Sequence, residues 1–231
     1  MIQPLKRVLI QTDQNPDICI IWLHGLGADG YDFLPVVKEL EELGLSSVRY
    51  VFPHADKMPV SINGGMVMPA WYDIKHVDLQ RQEDIAGIEL SKQRIDQLID
   101  EQLKQGFSSE QVFLAGFSQG GAVAYQSALR YPKKLGGLIV LSSYLIRADQ
   151  VQQWAAPINR TLPIFVAHGR TDNIVPLQRG QAGAECLQQL NYPLVWKIYP
   201  MAHSLCSEEV ADIAKFILHQ RPHTHHHCEH C

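Results

Sequence analysis

Short apolar runs alternate with longer segments of helical periodicity along most of the chain. Ile18-Cys19-Ile20-Ile21-Trp22-Leu23 is apolar throughout, the pattern of a strand buried on both faces of a parallel sheet. Val48–Phe52, Val112–Ala115, Gly137–Ser142, Pro163–Gly169 and Leu194–Tyr199 read as further strands. Between these runs the spacing predicts helices. Leu34, Val37, Leu40 and Leu43 share one side of 33–43, which Gly44 closes, and Ile85, Ile88, Ile95, Leu98, Ile99 and Leu103 form the stripe of one long helix behind Glu83-Asp84. An alanine-rich helix over 121–131 stops at Pro132, and further helices are expected over 178–190 and 210–218. Strands alternating with helices in this way imply a mostly parallel sheet covered on both faces, as one domain over 1–218. No repeat or interdomain linker interrupts it.

The periodicity lapses from Pro53 to Asp73, where Pro53, Pro59, Asn63-Gly64-Gly65 and Pro69 break any regular element. Long irregular excursions in compact domains are usually functional. Met66, Met68, Trp71 and Tyr72 give this one an adaptable apolar character suited to an acyl groove, although any one of them fits a cover over the core equally well.

The 231 residues, 46% hydrophobic and 19% charged, suffice for one sizeable core. A net charge of -4 gives no reason to expect nucleic acid or an anionic membrane as partner. No run reaches the length of a membrane span and no signal-peptide core follows Met1, so a cytoplasmic protein is expected. The five cysteines lack disulfide-like spacing; Cys19, Cys186 and Cys206 read as buried reduced thiols.

The candidate chemistry centres on Gly116-Phe117-Ser118-Gln119-Gly120, a G-x-S-x-G between a strand and a helix. A turn that tight projects the serine hydroxyl from the top of a sheet, which makes Ser118 a candidate nucleophile. A serine needs a base, and the base needs an acid to fix its tautomer. Asp172 and His203 each follow an apolar strand, in the loops where open α/β sheets form their sites. Their order, Ser118, Asp172, His203, is the one used by serine hydrolases with a strand–serine–helix elbow. Asp73 is a rival acid but precedes the serine, and His24, His54, His76 and His168 read as structural or supporting. The glycine-rich turn Gly25-Leu26-Gly27-Ala28-Asp29-Gly30 leaves backbone N–H groups bare, without the lysine of a phosphate loop. It fits an oxyanion loop after the third strand of such a fold, with the N–H of Leu26 as one donor and that of Gln119 as the other.

Taken together, Leu23-His24-Gly25-Leu26-Gly27-Ala28, Phe52-Pro53-His54-Ala55, Asn63-Gly64-Gly65, Met68-Pro69-Ala70-Trp71-Tyr72-Asp73, Gly116-Phe117-Ser118-Gln119-Gly120-Gly121, Gly169-Arg170-Thr171-Asp172 with Val175-Pro176, and Ala202-His203 resemble the phospholipase/carboxylesterase family of α/β-hydrolases. The resemblance covers about 18–218. It implies hydrolysis of acyl esters or thioesters, with lysophospholipids or acylated proteins among the substrates, no cofactor and no large cap domain. An apolar channel mouth would also allow a homodimer. The His/Cys-rich tail over 219–231 departs from the family; it reads as disordered, with His225, His227, Cys228 and Cys231 as a compositional metal candidate.

Overall fold

Six-residue β2, Ile18–Leu23, is buried along its whole length, and its side chains divide by parity. Cys19, Ile21 and Leu23 enter one apolar cluster, while Ile18, Ile20 and Trp22 enter another on the opposite face of the sheet. The same alternation holds in β6, Val112–Phe117, in β7, Gly137–Leu141, and in β8, Ile164–Gly169. These strands are buried at nearly every position and, apart from His168, carry no polar side chain, because both faces carry helices.

The computed structural model describes residues 2–76 and 83–222. In chain order the remaining elements are β1 Arg7–Gln11, α1 Leu34–Glu42, β3 Val48–Pro53, β4 Lys57–Val60, β5 Met66–Pro69, α2 Ile85–Lys104, α3 Gln119–Arg130, α4 Val151–Trp154, α5 Leu177–Gln189, β9 Leu194–Tyr199 and α6 Ser207–Gln220. Among the described residues one seven-stranded sheet runs β1-β3-β2-β6-β7-β8-β9, parallel except for the antiparallel edge strand β1. Residues of α2, α3 and α5 fill the first cluster, and residues of α1 and α6 fill the second. The stripe predicted for 85–103 is the buried side of α2, through Ile88, Ile95, Leu98 and Ile99. Asp84 caps that helix by accepting the N–H of Gly87 at 3.0 Å. Cys19 is fully buried, and burial pushes its thiol up to about 12.

Several expectations are corrected. Strand β1 escapes the apolar-run criterion because it is an edge strand, only half-buried and alternating. Loop 24–30 directly follows β2. The excursion over 53–73 is not wholly irregular: β4 and β5 pair as an antiparallel hairpin, Met58 opposite Met68, and Gly64 and Gly65 turn the chain at φ +66° and +79°. The last helix extends past 218 to Gln220, and Arg221 is bonded to Asp17 at 2.6 Å, so the segment expected as tail begins inside a packed element. Candidate metal ligands His225, His227, Cys228 and Cys231 lie outside the described residues. No helix among the described residues is long and apolar enough to cross a membrane.

In the first turn of α6, Glu209 is fully buried and neither carboxyl oxygen has a hydrogen-bond partner among the described residues. Burial pushes its pKa up to about 8, against the pull of the nearby Cys206 N–H. In the unfolded chain this carboxyl titrates near 4.5. The folded state therefore binds the extra proton, and the cost of ionising Glu209 grows as pH rises between those values. Glu209→Gln removes that cost: its melting temperature should match the parent's near pH 4.5 and exceed it by pH 9, as thermal melts at the two pH values will record.

Candidate active site

Ser118 sits between β6 and α3 at φ 55°, ψ -121°, a backbone conformation that L-residues rarely adopt. Its N–H donates to the carbonyl of Leu141 on β7 at 2.9 Å, which fixes the turn to the neighbouring strand. The flanking glycines are required by contact. A Cβ at Gly116 would lie 2.4 Å from the carbonyl oxygen of Gly120, and one at Gly120 would lie 2.5 Å from that of His24. Strand, turn and helix thus touch backbone to backbone, and the serine side chain is left pointing off the carboxyl edge of the sheet.

Asp172 and His203 come to Ser118 from the loops after β8 and β9. His203 Nδ1 stands 2.7 Å from Asp172 Oδ2, and its Nε2 stands 3.1 Å from Ser118 Oγ. Asp172 cannot accept at Nδ1 unless that nitrogen carries the proton, which leaves the Nε2 lone pair facing the serine hydroxyl. The Asp172 side chain is completely buried, and its Oδ1 accepts the N–H groups of Ile174 and Val175, each at 2.9 Å. Two such bonds to a charged acceptor, about 1.5–3 kcal/mol each, offset much of the cost of burying the carboxylate. The imidazole of His203 rests on Phe117, 4.8 Å between ring centroids.

Leu26 and Gln119 line the same cavity as Ser118 and His203. Their backbone N–H groups donate to no acceptor among the described residues. Loop 24–30 is held to the excursion by two histidines. His24 Nε2 accepts the N–H of Ala55 at 3.0 Å while its Nδ1 donates to the carbonyl of Gly25, and His54 Nδ1 accepts the N–H of Gly30 at 3.0 Å. Burial lowers the pKa of His24, consistent with a neutral ring. Asp73, the rival acid, instead accepts both the N–H and the hydroxyl of Ser61 and holds the hairpin end. His76 is exposed and does not line the cavity.

The proposed groove residues are not where the composition suggested. Met66 is 64% exposed on the hairpin, and Met68 Sδ takes the amide of Asn63 at 3.6 Å. Trp71 and Tyr72 are buried in the core. Trp71 donates its ring N–H to the carbonyl of His24 at 2.8 Å and its backbone N–H to Gln119 Oε1 at 2.8 Å. Gln119 Nε2 in turn donates to the carbonyl of Tyr72 at 2.7 Å, and the Tyr72 hydroxyl meets that of Tyr144. These side chains brace the elbow from behind and leave the cavity, ≈ 590 Å³, to Ile62, Ile74, Tyr144, Ile174 and Val175 beside Ser118. Sequence reasoning missed all five. Ile174 and Val175 carried a signal, since they form an apolar pair two and three residues past the acid, in the loop that brings it toward Ser118.

A family model described as phospholipase/carboxylesterase matches residues 6–220. The chain belongs to the phospholipase/carboxylesterase family. It is 38% identical over 212 residues to the acyl-protein thioesterase 1 of Gibberella zeae, covering 88% of this chain and 90% of that one. A probable carboxylesterase of Oryza sativa is 35% identical over 201 residues, with coverage of 86% and 76%. Among solved structures, SOBER1 of Arabidopsis thaliana superposes with a TM-score of 0.82 at 31% identity, covering 88% of this chain and 98% of that one. Zea mays acyl-protein thioesterase 2, at 24% identity, a TM-score of 0.82 and coverage of 94% and 99%, supports the fold. The sheet described above is that of an α/β-hydrolase without a large cap, and the family's model spans nearly the whole chain.

The elbow's tightness is open to direct measurement. Gly120→Ala puts a methyl group against two backbone carbonyls that cannot swing aside. It should cost at least about 3 kcal/mol, or roughly 6–12 °C in Tm for a chain of this length. Differential scanning calorimetry that found the variant as stable as the parent would contradict the close approach.

Proposed function

We propose that this protein is a serine hydrolase of acyl esters and thioesters, working through Ser118, His203 and Asp172 by way of an acyl-enzyme. The observation that carries the reading is the unbroken chain from Asp172 Oδ2 through both nitrogens of His203 to Ser118 Oγ, at 2.7 Å and 3.1 Å, opening on an apolar cavity. In this reading His203 removes the proton of Ser118 as its oxygen attacks the acyl carbonyl. Asp172 stabilises the imidazolium that forms. The N–H groups of Leu26 and Gln119 receive the developing oxyanion, an interaction worth about 10²–10³ in rate for one donor. His203 Nε2–H then protonates the departing alcohol or thiol, and the same ring activates the water that releases the carboxylic acid.

The cavity wall supports an acyl chain as the group selected. Ile62, Ile74, Ile174 and Val175 offer burial at about 0.8 kcal/mol per methylene. Relatives named acyl-protein thioesterase favour the thioester, and a relative named probable carboxylesterase favours the oxygen ester. The same serine chemistry serves both bonds, and lysophospholipids belong to the oxygen-ester branch.

Hydrolysis of p-nitrophenyl esters with two to sixteen acyl carbons, beside an S-palmitoylated cysteine peptide, tests the proposal. Turnover should fall on the order of 10⁶-fold in Ser118→Ala. Turnover that survives that substitution would place the nucleophile elsewhere.

A further inference from the structure

We propose that His168 is a positioning residue for the acid: from the end of β8 its ring clamps the turn that delivers the N–H groups of Ile174 and Val175 to Asp172. The inference rests on the triad proposed above.

Val175 is gripped on both sides. Its N–H donates to Asp172 Oδ1 at 2.9 Å, and its carbonyl accepts His168 Nε2–H at 2.7 Å. The same Nε2 lies 3.5 Å from Asp172 Oδ2, the oxygen that faces His203. One ring edge therefore abuts the carboxylate and the peptide that wraps it. Without this anchor, the turn over 172–175 would be free to rotate its N–H groups away. Asp172 would then lose the donors that hold its oxygens in line with His203.

The surroundings fix the ring's state. His168 is fully buried, and a Cβ added at Gly180 of α5 would sit 2.4 Å from Nδ1, so the helix closes over that nitrogen. Nδ1 has no partner among the described residues. Trp196 of β9 lies on another side, ring centroids 6.3 Å apart. The titratable groups that act on the ring are Asp172, which favours its protonation, and His203, which opposes it. Burial outweighs both and lowers its pKa, leaving a neutral ring with its proton on Nε2. Full burial and the hold of the Val175 carbonyl on Nε2 argue against it as a competing base.

The test compares His168→Leu and His168→Gln with the parent on one ester from pH 5 to 9, with the active fraction counted by a fluorophosphonate that labels serine. Leu fills space without a donor; the Gln amide reaches toward Val175. His168→Leu should lower kcat by about 10–100-fold with KM little changed, as expected of a misplaced catalytic group. The acid limb of kcat/KM should move down by about half a pH unit, because a displaced Asp172 stabilises the imidazolium of His203 less. His168→Gln should recover most of the loss. A folded Leu variant with unchanged kcat and acid limb would overturn the proposal, as would equal losses in Leu and Gln with the limb unmoved. If the Leu variant does not fold, His168→Asn, too short to reach Val175, replaces it, and equal kcat in Asn and Gln would count against the clamp. Failure of the triad itself reads out separately, as turnover of the same ester by Ser118→Ala.

Discussion

Everything in this site depends on how closely three backbones can approach at one point. β6, β2 and the start of α3 meet around Gly116 and Gly120, where a Cβ would fall 2.4 Å and 2.5 Å from a carbonyl oxygen, well inside the 3.0 Å that real Cβ atoms keep. With no side chain in the way, α3 starts directly over the strand edge, and Ser118 must take up its positive φ. That conformation costs of order 1–3 kcal/mol. It is held by the N–H of Ser118 on Leu141 and by the hydroxyl of Ser143, which donates to the carbonyl of Ser118 at 2.6 Å. Packing on both faces of the sheet supplies the surplus that keeps such a turn in place.

The elbow then organises the loops around it. Gln119, buried at the first turn of α3, spends its side chain on the backbone of Trp71 and Tyr72, while its N–H stays on the cavity side. Trp71 reaches back to His24, and His24 reaches Ala55. A continuous run of hydrogen bonds therefore joins α3 to the excursion and the excursion to the loop of Leu26. Each bond is buried, where a lost partner leaves a group unsatisfied and costs about 1–3 kcal/mol. Displacing any one loop would expose such groups, so the backbone around Ser118 is held in one arrangement.

What could be read in the sequence follows from this division. Fully apolar strands and the stripe of α2 are legible because burial on both faces, or on one helical face, writes a period into the chain. Ser118, Asp172 and His203 were legible because each follows a strand of the parallel sheet, which gathers their loops at one edge. Strand β1 was not, since an edge strand needs no continuous apolar run. Nor was the wall of the cavity. Met66, Trp71 and Ile74 lie within nine positions of one another and are all apolar, but one is exposed, one is buried in the core and only the last lines the cavity. Their fates are decided by hydrogen bonds over long separations, such as that from Trp71 to Gln119, which leave no local period.

The environments of the histidines set the His203 ring apart from the others. His24 and His168 are buried, their pKa values are lowered by that burial, and a ring nitrogen of each is engaged by backbone. His54 uses Nδ1 on the N–H of Gly30. The His203 side chain keeps 17% exposure, has a buried carboxylate on one nitrogen, and turns the other toward a hydroxyl instead of a peptide group. A proton can be exchanged at that nitrogen without breaking a structural hydrogen bond. At His24 or His168 the same exchange would leave a backbone group without its partner or place a charge in the core, a cost that the fold sets against catalysis at those positions.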